Sequence, residues 1–291
     1  MALEKQSPCK VNLLLNILGK RPDGYHELET IMIPVGICDR MVFQRASRGI
    51  ELTCSDPLLP RDSKNLAYRA AALFLKTAAI NEGTRIHLEK RLPIAAGLGG
   101  GSANAAVTFG AMNELFGQPL APAQLTELAA SLGSDIPFFL QTQPALATGR
   151  GEVVAQLENF RALEDAWVLL VHPGFGISTP WAYQQLARFP EALNGKAGRA
   201  RRLISLLQGS DLTAAGAEFY NSLEAPALYK YPLLSLYQSF FRENGAAVTL
   251  MSGSGSATFA LVRSQAAAAA LQEKFKSHFG DKPWTAIAPI S

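Results

Sequence analysis

The sequence is poor in cysteine: three in 291 residues, an odd number with no metal-binding pair spacing. Cys9, Cys38 and Cys54 therefore predict neither a disulfide framework nor a structural zinc site. The N-terminus lacks the apolar run of a signal peptide, and the longest apolar stretches are too short and interrupted to span a bilayer. We expect a cytoplasmic protein with no membrane partner.

The excess of positive over negative charge is also small. The 27 basic and 24 acidic side chains give a net charge of +3, and the tightest basic group is Arg199, Arg201 and Arg202. A nucleic-acid partner is therefore not expected, whereas a small anionic substrate suits the mild positive balance. With 48% hydrophobic and 18% charged residues the chain is globular, and its length allows one large or two ordinary domains.

Apolar periodicity and turn signals alternate between the strand and helix patterns, which predicts an α+β protein. A polar stretch at residues 159–165 precedes a new buried strand, so we predict an N-terminal domain at 1–160 and a C-terminal domain at 161–291. Asp62 or Ser63 is predicted to cap a helix that begins near residue 65, and Ser134 to cap a later helical turn. Further helices are predicted at residues 122–132 and 265–279, and strands at 10–18, 85–89, 145–149, 152–156 and 258–262.

The glycine-rich stretch at residues 93–104 lies between a predicted strand and a predicted helix. Glycines allow close backbone approach, and a helix N-terminus favours anions, so this arrangement predicts phosphate binding. The stretch lacks the Lys-Ser/Thr of a Walker loop and the spacing of a dinucleotide fingerprint. The alternative is a flexible surface loop before a buried helix, although the abrupt periodic flanks argue against a linker.

Three other polar segments stand out, around Lys10 to His26, at Asp135 and at residues 253–256. Each has an ordinary structural explanation when it is taken alone. Lys10 suits a solvated strand end, His26 a surface turn, and Asp135 the first turn of a helix. Only their combination with the glycine loop suggests shared chemistry.

Together these segments resemble the galacto-, homoserine, mevalonate and phosphomevalonate (GHMP) kinase superfamily. Within it, the chain is most similar to the family of 4-diphosphocytidyl-2-C-methyl-D-erythritol kinases of the non-mevalonate isoprenoid pathway. The matching stretches, in order, are SPCKVNL at 7–13, GKRPDGYHEL at 19–28, PIAAGLGGGSA at 93–103, LGSDIPF at 132–138, ATGRGE at 147–152 and MSGSGS at 251–256. The second stretch is the most specific to this family.

The resemblance implies a two-domain GHMP kinase fold. The N-terminal, ATP-binding domain would resemble domain 2 of ribosomal protein S5, and the C-terminal, substrate-side domain would be ferredoxin-like, with the active site in the cleft between them. It also implies ATP-dependent phosphorylation of a hydroxyl on the erythritol part of a cytidine diphosphate conjugate. ATP and Mg²⁺ would be required, and the protein would be a monomer or a homodimer.

Site residues follow from the matching positions. Asp135 would be the catalytic base and Lys10 its electrostatic partner, since phosphoryl transfer needs alignment and charge neutralisation. The implied ATP-binding residues are Asn65, near the adenine, and Pro93, Ile94, Ala95, Ala96, Gly97, Leu98, Gly99, Gly100, Gly101, Ser102 and Ala103. The implied substrate-binding residues are Asn12, Tyr25, His26, Thr179 and Tyr183, with the two tyrosines on either face of the cytosine. No metal ligand is assigned, and Ser102 is one candidate.

The sequence departs from the family pattern at several positions, of which Cys9, Lys64, Ala103 and Ser222 are examples. None of these removes Lys10, Asp135 or the loop glycines. Ala103 removes one hydroxyl near the phosphates. Two alternatives remain: another small-molecule kinase of the superfamily, acting on homoserine or mevalonate, or a nucleotide-binding protein without activity. A homoserine or mevalonate kinase would lack the aromatic clamp of Tyr25, His26 and Tyr183. An inactive nucleotide-binding protein would be expected to have lost Asp135 or Lys10, and both are present.

Overall fold

The structure is a computed structural model that describes residues 2–290. Its strands, in chain order, are β1 Ala2–Lys20, β2 His26–Ala46, β3 Ile50–Cys54, β4 Gly83–Glu89, β5 Ala145–Gly149, β6 Val153–Gln156, β7 Trp167–His172, β8 Tyr220–Asn221, β9 Val248–Met251, β10 Thr258–Val262 and β11 Trp284–Pro289. Its α-helices are α1 Leu66–Thr77, α2 Gly100–Leu115, α3 Pro122–Leu132, α4 Thr179–Gln185, α5 Pro190–Leu193, α6 Arg199–Leu207, α7 Leu212–Gly216, α8 Glu224–Lys230, α9 Pro232–Glu243 and α10 Gln265–Phe279. Short 3₁₀ turns occupy Pro137–Leu140, Arg161–Leu163 and Leu186–Arg188.

Several elements with strong local sequence signals are found where they were predicted. The helices α3 and α10 and the strands β5 and β10 have the predicted bounds, and β5 pairs with β6 as a hairpin. The mixed α+β class is confirmed.

Both predicted capping assignments were wrong. The N-cap of α1 is Asn65, whose side-chain oxygen accepts the backbone N–H of Ala67 at 2.9 Å. Asp62 instead accepts the N–H of Lys64 two residues on, so its carboxylate closes a local turn before the helix begins. Ser134 does not cap a helix, because it lies in a turn and the following 3₁₀ segment begins only after Ile136.

Contacts divide the chain into two compact units, and neither is a continuous segment. Among the described residues, the first unit comprises 2–9, 38–92 and 99–142, and the second comprises 10–37, 93–98 and 143–290. The predicted boundary between residues 160 and 161 falls inside the second unit. The strands β1 and β2 and the glycine-rich loop each contribute residues to both units.

The first unit combines three paired strand segments with helices. Residues 40–46 of β2 pair antiparallel with β4, and β3 pairs parallel with β4. The helices α1 and α2 pack against each other. Phe43, Phe74 and Phe109 are fully buried, and each such side chain contributes about 1.5–3 kcal/mol on burial.

The second unit is built around an antiparallel sheet in the order β11-β7-β10-β9. One cluster on this sheet joins Leu169 of β7 to Tyr237, Phe241 and Phe275 of the helices α9 and α10. A second cluster contains Leu15, Ile17, Leu28 and Met251, which belong to β1, β2 and β9. This second cluster places the strand that carries Lys10 in the same core as the strand that precedes residues 252–256.

Candidate active site

Lys10 lies in β1 and is almost completely buried, with 2% of its surface exposed. Its Nζ donates to Asn12 Oδ1 at 2.5 Å and to the Gly97 carbonyl at 2.7 Å. Its backbone N–H donates to the Leu98 carbonyl at 3.0 Å. A buried ammonium is tolerated when hydrogen bonds hold it, and these bonds fix the Lys10 charge beside the glycine loop.

Asn12 is held in one orientation by a third residue. Its Nδ2 donates to Thr30 Oγ1 at 2.8 Å, and that hydroxyl donates to the Leu14 carbonyl. The amide nitrogen of Asn12 therefore faces Thr30, and its oxygen faces Lys10. Two of the predicted site residues, Lys10 and Asn12, thus form one buried chain of hydrogen bonds with Gly97.

Gly97 is required by both its conformation and its surroundings. Its φ is +78°, and a Cβ at this position would lie 2.0 Å from the Ser252 carbonyl oxygen and 2.8 Å from the Gly255 nitrogen. The Gly97 carbonyl also accepts the Ser252 hydroxyl at 3.0 Å. The loop at residues 93–98 and the Ser-Gly segment at 252–256 are therefore in direct backbone contact.

The glycine loop continues into α2. Gly99 is the N-cap in a left-handed conformation, offers no side-chain cap, and no acidic residue occupies the first turn. The first helical hydrogen bond runs from the Ala103 N–H to the Gly99 carbonyl at 2.8 Å. The N–H groups of Gly100, Gly101 and Ser102 thus lack acceptors within the helix, which is the arrangement that favours an anion. Ala103 is fully buried, and its N–H is already bonded to the Gly99 carbonyl. We therefore expect Ala103 to contribute by fixing the conformation of the loop.

Two further predicted residues lie in the first unit. Asp135 is half-buried in the turn between α3 and the 3₁₀ helix Pro137–Leu140. Asn65 is buried, and besides capping α1 it donates Nδ2 to the Pro60 carbonyl at 2.9 Å. The structural role of Asn65 is therefore clear, while its proximity to adenine and the catalytic role of Asp135 stay predictions.

Three of the predicted substrate residues in the second unit are aromatic: Tyr25, His26 and Tyr183. His26 lies against Tyr183, with ring centroids 5.1 Å apart and planes tilted by 41°. Tyr25 is 54% exposed and carries the Arg150 guanidinium over its ring, 4.7 Å from the centroid. Partial burial and, to a smaller extent, the positive charge of Lys20 lower the pKa of His26 below its usual value. The imidazole ring is therefore neutral at pH 7. Neutral aromatic surfaces of this kind suit stacking on a planar base.

Thr179 also lies in the second unit. Its hydroxyl is hydrogen-bonded to that of Ser254 at 2.8 Å. Ser254 belongs to the same 252–256 segment that touches Gly97. The predicted substrate residue Thr179 and the predicted phosphate loop therefore both contact this segment.

Two family models and a named relative match the sequence of this chain. The model of the GHMP kinase N-terminal domain matches residues 65–143, and that of the GHMP kinase C-terminal domain matches residues 189–281. A protein of Synechococcus sp. (strain JA-3-3Ab) named 4-diphosphocytidyl-2-C-methyl-D-erythritol kinase is 40% identical over 276 residues, which cover 93% of this chain and 88% of that protein. The chain belongs to the GHMP kinase family.

Solved structures support the same assignment. A crystal structure of 4-(cytidine 5'-diphospho)-2C-methyl-D-erythritol kinase superposes with a TM-score of 0.82 at 34% identity, covering 99% of this chain and all of the other. The homoserine kinase from Cytophaga hutchinsonii superposes with a TM-score of 0.76 at 19% identity, covering 99% and 95% of the two chains. The second likeness shows the shared fold alone. The predicted GHMP kinase fold is thus confirmed.

Sequence reasoning missed several residues that support the candidate site. In the first unit, the fully buried Asp39 accepts Lys90 Nζ, the N–H groups of Arg91 and Leu92, and Asn104 Nδ2. It thereby ties the segment just before the glycine loop to the first turns of α2. Thr30, which orients Asn12, and Arg150, which stacks on Tyr25, are the others. The one sequence signal that could have indicated Asp39 is its position as a single acidic residue directly after the apolar run at residues 31–38.

Within residues 2–290 no helix is long and apolar enough to cross a bilayer. The same residues contain no cluster of three or more His, Cys, Asp or Glu side chains that could hold a metal ion.

Proposed function

We propose that this kinase transfers the γ-phosphoryl group of ATP to a hydroxyl on the erythritol part of 4-diphosphocytidyl-2-C-methyl-D-erythritol, a step of the non-mevalonate isoprenoid pathway. The observation that carries the proposal is the 40% identity, over nine-tenths of the chain, to a protein of that name. The hydrogen-bonded group of Lys10, Asn12 and Gly97 supports it independently.

The glycine loop, residues 93–103, is proposed to hold the ATP phosphates. Supporting observations are the left-handed Gly99 cap without a side chain and the first turn of α2, which contains no acidic residue. Three consecutive N–H groups and the helix dipole would together offset phosphate charge. Asn65 is proposed to lie near the adenine.

Phosphoryl transfer requires a proton acceptor and positive charge near the transferred group. Asp135 is proposed to accept the proton of the substrate hydroxyl. Lys10, fixed by Asn12 and Gly97, is proposed to neutralise negative charge that develops on the transferred phosphoryl oxygens. Because the Lys10 ammonium is already held in place, its surroundings need little rearrangement when the reaction occurs.

The acceptor side is proposed to bind the cytidine. His26 and Tyr183 supply adjacent ring faces, and Tyr25 supplies an exposed one. Aromatic stacking contributes about 1–3 kcal/mol per base, so two such contacts would select a nucleoside conjugate over a small alcohol. Asn12 and Thr179 are proposed to complete substrate binding.

Mg²⁺ is proposed to accompany ATP. Proteins hold this ion through few side chains together with substrate phosphates, and the half-buried Ser102 hydroxyl in the first turn of α2 is suited to such a contact. When bound, the ion neutralises charge on the phosphate oxygens. The oligomeric state is proposed to be a monomer or a homodimer.

The test is a coupled assay of ADP release with the cytidine conjugate, 2-C-methyl-D-erythritol 4-phosphate, homoserine and mevalonate as separate acceptors. We expect turnover with the cytidine conjugate alone. Turnover confined to homoserine or mevalonate would overturn the proposed substrate. In the Asp135→Asn variant kcat is expected to fall while ATP still binds, and an unchanged kcat would remove Asp135 from the role of base.

A further inference from the structure

Asn221 occupies the end of β8, the shortest strand of the second unit. The strand pairs parallel with β1 at Leu14 and Leu15, and Asn221 is 2% exposed. Its Nδ2 donates to two carbonyls, of Met251 and of Gly253, both at 2.8 Å. Its Oδ1 accepts the Leu223 N–H at 2.9 Å, which fixes the orientation of the amide. One side chain therefore holds both ends of the tripeptide 251–253, which overlaps the start of the 252–256 segment.

The residues after Asn221 strengthen the same attachment. Ser222 donates its N–H to the Leu15 carbonyl at 2.8 Å and accepts the Ile17 N–H at 3.0 Å, both on the strand that carries Lys10. Glu224 accepts the Met251 N–H at 2.7 Å through a carboxyl that also bonds the buried Gln238. Residues 221–224 thus join β1 to the start of the 252–256 segment.

That segment in turn contacts Lys10 and the glycine loop. A Cβ on Gly253 would lie 2.8 Å from the Gly97 carbonyl oxygen and 3.1 Å from Lys10 Nζ. The Ser252 hydroxyl bonds the Gly97 carbonyl, and the Ala257 N–H bonds the Ala96 carbonyl at 2.9 Å. Any movement of the Gly253 backbone therefore changes the surroundings of the Lys10 ammonium.

We propose that Asn221 is a positioning residue for the kinase reaction, which holds the Gly253 backbone so that Gly97 and Lys10 keep their places. Its two hydrogens satisfy carbonyls two residues apart, a geometry that sets the shape of the turn as well as its attachment. Without them, two buried carbonyls would have to find other donors, and the turn would relax. The link to catalysis rests on the proposed role of Lys10, whereas the link to loop geometry does not.

The test compares Asn221→Ala and Asn221→Ser with a matched control, Asn113→Ala. Asn113 also bridges a loop with its amide, donating to the Leu120 carbonyl at 3.0 Å and accepting the Leu120 N–H at 3.1 Å, but it lies in the first unit. Asn221→Ser retains a hydroxyl and needs less repacking than alanine. All variants are assayed well below their unfolding temperatures, with the cytidine conjugate and Mg-ATP.

Backbone hydrogen exchange provides a readout that does not depend on turnover. In the Asn221 variants we expect the Lys10 and Ala257 amides, which bond the glycine loop, to exchange about tenfold faster or more, because a bond held by a loosened turn opens more often. The paired amides of β7 and β10 keep their protection. In Asn113→Ala the Lys10 and Ala257 amides exchange as in the parent protein. Unchanged exchange at these two amides in the Asn221 variants would overturn the proposal.

Turnover tests the catalytic part. A displacement of about 1 Å at a reacting group can cost about 100-fold in rate, so we expect kcat of the Asn221 variants to fall at least tenfold, by more than either KM changes. Asn113→Ala keeps the parent kcat. Faster exchange with an unchanged kcat would refute the catalytic role of Asn221. If the parent protein phosphorylates none of the acceptors, the proposed function fails, and exchange alone decides whether Asn221 holds the loop.

Discussion

Substitution of Gly97 by alanine tests the contact between the glycine loop and the 252–256 segment. The residue has φ +78°, where alanine costs about 1–2 kcal/mol. Its Cβ would lie 2.0 Å from the Ser252 carbonyl oxygen, whereas real Cβ contacts stay beyond 3.0 Å. The two backbones must therefore separate by about 1 Å, and overpacking of this kind costs about 1–3 kcal/mol more. Together these costs lower the free energy of unfolding by roughly 2–5 kcal/mol.

The same displacement acts on the Lys10 ammonium, which donates to the Gly97 carbonyl. A misplacement of about 1 Å costs about 100-fold in rate, so kcat with the cytidine conjugate and Mg-ATP is expected to fall by that order. Steady-state kinetics and thermal unfolding of Gly97→Ala provide the two measurements.

Gly245→Ala is the matched control, because Gly245 has φ +88° but nothing within 4 Å of its added Cβ. It should lose only the conformational 1–2 kcal/mol or so and keep the parent kcat. If Gly97→Ala were no less stable and no less active than Gly245→Ala, the close approach would have no energetic consequence and the reasoning would be refuted.

Three further predictions concern single side chains of the second unit. Burial raises the pKa of the Glu224 carboxyl to about 6 from its ordinary 4.5. The protonated carboxyl therefore stabilises the folded protein at pH 4.5 and below, and this stabilisation is lost as the pH rises from 4.5 through 6. The pKa difference of 1.5 corresponds to roughly 2 kcal/mol of unfolding free energy. The stability of the parent relative to Glu224→Gln, from urea unfolding, should fall by that amount over this range, and a constant difference would contradict it. Ala95 has φ +53° and an exposed side chain, so Ala95→Gly should raise the unfolding free energy by about 0.5–1 kcal/mol; a loss of stability would show that no strain is present. Thr30→Val leaves Asn12 Nδ2 and the Leu14 carbonyl without their partner, at a cost of about 1–3 kcal/mol and with a lower kcat, while Thr30→Ser keeps both; equal behaviour of the two variants would exclude the hydroxyl.

Much of the fold could be predicted because its signals are local. The helix α3 begins with proline at its first position and ends before Gly133, and α10 begins after the Ser264 cap and ends before Gly280. Such signals lie within a few residues of the element that they delimit. By contrast, β1 spans residues 2–20 where the pattern predicts a strand only at 10–18, because pairing with β2 extends the strand beyond its local signal.

The candidate site divides in the same way. The motif residues Lys10, Asn12 and Gly97 were predicted from resemblance, and the structure of the second unit brings them together. Asn221 could not be predicted, because its partners are 30 and 32 residues away in the chain and its strand is only two residues long. No periodicity accompanies so short a strand, so only the tertiary structure reveals the contact.

The most direct test of the central claim is phosphorus NMR of a reaction that contains the protein, Mg-ATP and 4-diphosphocytidyl-2-C-methyl-D-erythritol. The account predicts that a new phosphomonoester resonance appears as the ADP resonances grow, while the diphosphate of the cytidine conjugate stays intact. ADP formation with free inorganic phosphate and no new phosphomonoester would contradict the claim.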